Sequence, residues 1–252
     1  MKRKRQKKIL LLLESHNFLK VEELAEYFNV STMTIRRDIT ELHEKNLIIK
    51  VHGGAQYKSN ILTHQQKINR NIEEKNYIGC IMNDLINSED VVFLGAGTTI
   101  AVAAKQLKNK NVYILTNNLQ AFNQLDLMGF NNIYLTGGEY FSPTSEFIGE
   151  HCERIVYDFN IDISFLATNG ILNSDVTTSK PSLARIQNLV LQSAQKNYLL
   201  ADHSKFDVSD VYTFSKLDDF DGVITDNKID QNIYDKYRKL TNIINDKVHI
   251  IV

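Results

Sequence analysis

Two groups of residues in this chain have types and spacings suited to recognition chemistry. The first is Ser31, Thr32, Thr34, Arg36 and Arg37, crowded at the start of a helical pattern. A guanidinium pairs bidentately with a guanine edge and neutralises phosphate, and hydroxyls add phosphate or base contacts. Lys50, His52 and Gly53 follow in a run that suits a hairpin. Lys4 and Arg5 lie in a basic tract with Lys2, Arg3, Lys7 and Lys8. These ten residues are the candidate contacts to double-stranded DNA. The second group gathers where short apolar runs end: Gly95, Gly97, Thr98 and Thr99, then Thr116 and Asn117, then Gly137 and Gly138, with Gly149 and Lys205 later. Gly97 permits close backbone approach, and Thr98-Thr99 opens a helix whose free N–H groups suit a phosphate. Lys205 supplies a point charge. The GAGTT spacing is neither G-x-G-x-x-G nor a Walker loop.

The elements that must hold these residues follow from periodicity. In the head, Ile9, Leu10, Leu12 and Leu13 make one apolar stripe, and Leu19-Lys20-Val21 reads as a short extended link. Val21, Leu24, Ala25 and Phe28 make a second stripe at i, i+3, i+4 and i+7. Asn29-Val30 is a tight turn, and Ser31 caps a third helix with Thr34 at N3. That helix buries Ile35, Ile39 and Leu42 and leaves its arginines near the exposed N-terminal part, the end that leads into a major groove. Leu47 to Ala55 reads as two short strands around a turn, a wing. Asp38 is acidic, so its expected part is an ion pair that orients an arginine or the first helix.

The body alternates short apolar strands with helices. Strands are expected at 91–94, 112–115, 133–136, 163–166, 198–201 and 222–225, with a helix at 77–87. Such alternation predicts an open, largely parallel α/β sheet, and ligands collect beyond the carboxyl ends of its strands. The expected division is a winged helix-turn-helix at 1–58, a linker or connecting helix at 59–76, and an effector-sensing α/β domain at 77–252.

Charge divides along the same line. The chain has 252 residues and a net charge of −1. Residues 1–58 hold 12 Lys and Arg against 7 Asp and Glu, a net of +5, and the remainder carries −6. A basic head on an acidic body predicts an anionic macromolecule as partner for the head alone. A 43% hydrophobic content argues against disorder. The apolar run Ile9 to Leu13 is too short to span a membrane or to serve as a normal signal core. Cys80 and Cys152 have no metal-type or redox-type spacing, and are expected as buried reduced thiols in a cytoplasmic protein.

The head resembles the DeoR family of bacterial transcription regulators. Its signature places an arginine, two aliphatics, a small residue and a T-[aliphatic]-R-R-D-[aliphatic] run at fixed intervals. Arg5, Ile9, Leu13, Ser31, Thr34, Ile35, Arg36, Arg37, Asp38 and Ile39 fall in place, with seventeen residues between Leu13 and Ser31. His52 to Ala55 (HGGA) is also typical. The body resembles the family's sensor domain, of the ribose-phosphate isomerase and coenzyme A transferase fold type. Its landmarks are Gly97-Thr98-Thr99, Thr116-Asn117, Gly137-Gly138, Gly149 and Asp202-His203-Ser204-Lys205. The stretches GAGTT, Gly137 to Glu139 and Phe147 to Glu150 look closest to the lactose phosphotransferase repressor branch, whose effector is a ketohexose phosphate. One departure stands out. Many members carry a carboxylate at the start of the helix after the fourth strand, whereas this chain has Pro181 to Gln187 without one, which puts effector identity in question.

The resemblance implies a regulator of sugar-metabolism genes, a repressor in the commoner outcome, that binds operator DNA and a phosphorylated sugar and works as a homo-oligomer, a dimer or tetramer. The rival reading is a sugar-phosphate isomerase or coenzyme A transferase with an accessory head, which needs a positioned general base. Asp202, beside His203 and Ser204, is the clearest carboxylate. Adjacent residues do not converge as a triad does, so a turn cap or a ligand contact is its expected part. Glu139 and Glu150 are the other possible bases, each expected as a surface or ligand-binding group. No catalytic residue, metal site or cofactor is expected.

Overall fold

The computed structural model describes residues 2–16, 18–44, 47–57 and 64–246. The chain forms two compact units, Met1–Thr63 and His64–Val252.

The first unit is built from α1 (Lys2–His16), β1 (Phe18–Lys20), α2 (Val21–Phe28), α3 (Thr32–Glu44), β2 (Ile48–Val51) and β3 (Gly54–Tyr57). Its three strands form an antiparallel sheet in the order β1-β3-β2. The stripes close on one core of Ile9, Leu13, Val21, Leu24, Ala25, Ile35, Ile39, Leu42, Ile48 and Ala55. Asn29 ends α2 in the left-handed region (φ 49°), and Val30 N–H donates to the Ala25 carbonyl at 3.0 Å. This is the turn into α3 that the sequence predicts. The extended link is a true strand, because β3 offers it a pairing edge.

The second unit opens with α4 (His64–Asn69) and α5 (Ile72–Asp84). Of the expected 59–76 linker, residues 59–63 lie outside the described residues, and α4 and α5 belong to the second unit. Polarity obscured this, because Glu74 and Lys75 are buried charged residues. β4 (Val91–Leu94), α6 (Thr98–Ala103), β5 (Tyr113–Thr116), α7 (Leu119–Leu127) and β6 (Ile133–Leu135) follow. Next come β7 (Glu139–Phe141), β8 (Glu146–Ile148), α8 (Glu150–Tyr157), β9 (Ile161–Ala167), β10 (Gly170–Leu172) and β11 (Asp175–Thr178). The unit ends with α9 (Pro181–Ser193), β12 (Ala194–Leu200), β13 (Tyr212–Lys216), β14 (Gly222–Ile224), α10 (Gln231–Tyr237) and β15 (Ile243–Ile244).

Seven strands form one parallel sheet in the order β15-β14-β12-β9-β4-β5-β6. Successive strand residues alternate between two buried clusters. Phe93, Leu115, Leu166 and Leu199 belong to one, and Val92, Leu94, Ile114 and Phe165 to the other. The winding reverses between β4 and β9, so the crevice beyond their carboxyl ends is the topological switch point. The antiparallel additions, β7–β8 and the sheet β10-β11-β13, were not expected from the sequence. Cys80 is half-buried and Cys152 buried, and both are free thiols.

Candidate functional site

In the head, helix geometry sorts α3 into two faces. Ile35, Asp38, Ile39 and Leu42 are buried, while Thr32, Met33, Arg36, Arg37, His43 and Glu44 are exposed. The cap is a local device: Thr34 N–H donates to Ser31 Oγ at 3.3 Å, and the two hydroxyls lie 2.9 Å apart. Ser31 and Thr34 thus shape the helix start, while Thr32 is free to face a ligand. Arg36 lies 3.9 Å from Glu22, both more than half exposed, a contact of little energetic weight. Arg37 makes no ion pair among the described residues.

Asp38 takes the part expected of it. Its Oδ2 accepts from Arg5 Nε at 2.5 Å and its Oδ1 from Gln6 at 3.2 Å. Gln6 also reaches Glu41 at 3.0 Å, and Lys2 Nζ reaches the same carboxylate at 2.6 Å. These bonds rivet α1 to α3. They also turn Arg5 inward, with only 17% of its side chain exposed, so it acts as a positioning group rather than a free arm. Lys4 lies in α1, and its side chain is outside the described residues. On the wing, Lys50 Nζ donates to Thr40 Oγ1 at 3.1 Å, linking β2 to the exposed side of α3. His52 and Gly53 form the exposed turn. Gly53 has φ +77° with open space where a Cβ would go, so its glycine is required by conformation alone.

In the sensor unit, the loop Gly95 to Thr99 joins β4 to α6 at the switch point. Gly95 packs against β9: its N–H donates to the Phe165 carbonyl at 2.9 Å, and a Cβ would lie 2.9 Å from Leu166 Cδ2. Thr99 is buried and Thr98 half-buried. Thr116 is a latch, donating to the Leu94 carbonyl at 2.6 Å and accepting from Asn118 N–H at 3.0 Å. Asn118, which sequence reasoning missed, donates to the carbonyls of Gly95 (3.3 Å) and Gly97 (3.0 Å). Its Oδ1 caps α7 through the N–H groups of Gln120 and Ala121. One side chain therefore holds the loop and starts a helix; the signal available was an Asn directly after a strand and before a helix.

Lys75 of α5 reaches this loop, and three further cations act on it: Lys67 of α4, Arg70 of the following turn, and Lys205. Lys75 Nζ donates to Thr98 Oγ1 at 3.2 Å and to the Lys67 carbonyl. Burial pushes its ammonium down to about 8, and Lys205, Arg70 and Lys67 push the same way against Asp202. Lys67 is lowered by burial and then by Lys205. Such mutual repulsion fits an anion. Lys67, Arg70 and Lys75 were not singled out in the sequence, because lysines in a polar stretch look like solvated surface.

The remaining strand ends do structural work. Gly138 (φ +108°) would place a Cβ 2.6 Å from the Ile148 carbonyl, so it lets the β7–β8 hairpin close. Gly137 and Gly149 also have positive φ, and Gly149 precedes α8. Asn117 donates to the Phe147 carbonyl at 3.1 Å, and its buried Oδ1 has no partner. Beside it Glu146 is buried, which pushes its carboxyl up to about 7. Leu183 is core, and one turn on Gln187 donates to the Ala167 carbonyl at 2.9 Å, with its buried Oε1 unpartnered.

The enzyme reading finds little support. Asp202 caps a 3-10 turn, and although burial pulls its carboxyl upward, bonds from Ser204 and Asn71 with the Lys205 charge hold it below the usual value. Ser204 bonds to Asp202 at 2.5 Å, whereas His203 Nδ1 lies 2.9 Å from Asp226. The two neighbours thus serve different carboxylates and form no triad. Glu139 and Glu150 are exposed. Among the described residues no group of His, Cys, Asp or Glu is arranged to hold a metal ion.

Comparison with known proteins agrees with this division. Residues 5–61 match the family described as DeoR-like helix-turn-helix domain, and residues 70–227 match the DeoR C terminal sensor domain. The chain is 36% identical over 228 residues to the lactose phosphotransferase system repressor of Staphylococcus epidermidis, covering 87% of this chain and 90% of that one. It is 34% identical over 252 residues to the protein of the same name from Streptococcus mutans, covering 97% and 99%. Among solved structures, ribose 5-phosphate isomerase A of Methanocaldococcus jannaschii aligns over 54% of this chain and 55% of that one. Its TM-score is 0.40 at 16% identity, a likeness too weak to carry an argument.

Proposed function

The chain belongs to the DeoR family of transcription regulators, and from that premise we infer that it represses sugar-metabolism genes under the control of a phosphorylated sugar. The head is the DNA-binding part and the body is the family's sensor domain. The effector reading rests on one observation above the others: the buried Lys75 meets Thr98 at the switch point and feels three further cations, Lys205, Arg70 and Lys67. Some cations elsewhere in the unit have a carboxylate partner, as Lys228 has Glu74 and Lys236 has Asp207. Lys67 and Lys75 are lowered by burial first and then by neighbouring cations, and a phosphate dianion relieves that repulsion. Asn117, Glu146 and Gln187 offer hydrogen-bonding groups for sugar hydroxyls.

On the DNA side, α3 presents Thr32, Arg36 and Arg37, with Lys50, His52 and Gly53 on the wing. The protein acts on chromosomal operators in the cytoplasm as a homo-oligomer, since paired half-sites match two-fold protein symmetry. Its relatives are named as repressors, and regulation rather than turnover is its activity.

The test has two arms. Arg37→Ala weakens operator binding by about 1–3 kcal/mol if the arginine reads a base, or mainly lowers the salt slope if it meets phosphate; Arg36→Ala behaves likewise. Unchanged binding in both variants removes α3 as the recognition helix. A thermal-shift screen of sugar phosphates finds one that stabilises the protein, by ~2.7 kcal/mol at a hundred times its Kd. A flat screen removes the effector reading, and a turnover assay on the same compounds separates regulator from isomerase.

A further inference from the structure

The exposed face of α3 carries one residue that neither DNA backbone chemistry nor the head core accounts for. Met33, the second residue of the helix, is 73% exposed. It is not in the head core, nor among the residues packed against it. At about 100° per residue, Arg36, Arg37 and Thr40 lie within ~60° of Met33 around the helix, and buried Leu42 lies about 180° away. Met33 therefore stands at the centre of the exposed face, one turn ahead of the arginine pair. Another exposed apolar side chain of the head does have a local function. Tyr27 is covered by Lys8, whose Nζ is 5.4 Å from the ring centroid, and lies edge-on to Phe28 at 4.9 Å.

An unbranched thioether side chain at this place has a specific use. The leading turn of a recognition helix reaches base edges, and the one apolar group on the major-groove edge of a base pair is the C5-methyl of thymine. Thr32 and the arginines have polar edges and phosphates to meet; Met33 has no polar chemistry to offer. Its flexible chain adapts to a methyl without a fixed approach angle. Its position ahead of Arg36 and Arg37 directs it at base edges, while the guanidinium groups supply the attraction to the duplex.

We propose that Met33 reads the C5-methyl of a thymine in the operator, making it a sequence-discriminating residue of the recognition helix. This rests on α3 being the helix that enters the groove, and the experiment separates the two. The full-length protein selects its operator from a randomised duplex pool. Each thymine is then replaced singly by deoxyuridine, which removes only the methyl group. Binding is read by fluorescence anisotropy for wild type, Met33→Ala and Met33→Leu. The expected result is one thymine per half-site whose loss of methyl weakens wild type by about fourfold, the worth of one buried methyl-sized group. The same replacement changes Met33→Ala binding by less than about twofold, and Met33→Leu keeps most of the sensitivity; the coupling, not the loss of affinity, is diagnostic. If no thymine shows coupling while Arg36→Ala and Arg37→Ala still weaken binding, Met33 is a bystander and the proposal fails alone. If the arginine variants are also without effect, the groove assignment of α3 falls with it. Because Met33 is exposed and outside the core, neither substitution threatens the fold.

Discussion

Lys75 and Glu146 are the two side chains whose chemistry is most altered by where the chain places them. Lys75 is held near 8 by burial and by the cations around it. A phosphate needs the ammonium form, so affinity for a sugar phosphate falls as pH rises through about 8, approaching tenfold per pH unit for one linked proton. Calorimetric titrations from pH 7 to 9.5 check this. Lys75→Met removes both the pH dependence and most of the affinity, and an unchanged profile in that variant takes Lys75 out of the site. Glu146 is the opposite case. Its folded value of about 7 stands above the ordinary one near 4.5. The stability it contributes is therefore complete in acid and is lost as pH rises from about 4.5 through 7, where a buried carboxylate must ionise. Glu146→Gln keeps the shape without the charge. It is expected to stabilise the protein at pH 8 by up to roughly 3 kcal/mol relative to its effect at pH 5. Urea melts at the two pH values decide it: a difference that is the same at both would mean that Glu146 is solvated. Neither residue was singled out in the sequence, because one Lys and one Glu in polar stretches look like surface, and only tertiary packing buries them.

Among the secondary-structure elements, the head shows how a motif can be readable while the reason for one of its residues is not. The spacing from Arg5 to Ile39 marked the helices, turn and cap, because periodicity and capping are local. It also suggested an ion-pair role for Asp38. It placed Arg5 among the DNA contacts, however, since a sequence does not show that the pair joining Arg5 to Asp38 spans two helices and is largely buried. Asp38→Ala strands Arg5 and frees one bond of Gln6. It should cost the head on the order of 3 kcal/mol, the usual consequence of removing one partner of a buried pair. Denaturation of the head followed by a probe in α1 measures this, and Asp38→Asn should recover part of the loss through its remaining acceptor. In the body, six of the seven parallel strands were visible as apolar runs, and β15, two residues long, was not. The β7–β8 hairpin and the sheet β10-β11-β13 were not, since three- to five-residue strands in mixed sequence leave little period to count. Gly138 marked a strand end correctly. Its clash-free approach to Ile148 is a tertiary fact that a Gly-Gly pair alone does not disclose.

The chain as a whole divides its charge as it divides its tasks. A head of +5 is drawn to a polyanion and a body of −6 is not, so DNA affinity carries a salt dependence set by the head. The body has its own focus of positive charge at the switch point, within an otherwise acidic unit, which matches a small anion rather than a duplex. A small anion can control a distant DNA contact only by favouring one global state over another. The consequence is quantitative and does not depend on the route of coupling. If the effector weakens operator binding by some factor, operator DNA must weaken effector binding by the same factor. Anisotropy titrations of operator at saturating sugar phosphate, and calorimetric titrations of sugar phosphate at saturating operator, measure the two sides independently. For a regulator with typical coupling of about 1–3 kcal/mol, both should shift by roughly 5- to 150-fold and agree. Lys75→Met should abolish both shifts while leaving operator affinity intact, because it empties the sensor without touching the head. If that variant bound operator normally and still responded to sugar phosphate, the anion site would lie somewhere other than Lys75 and the cations that act on it.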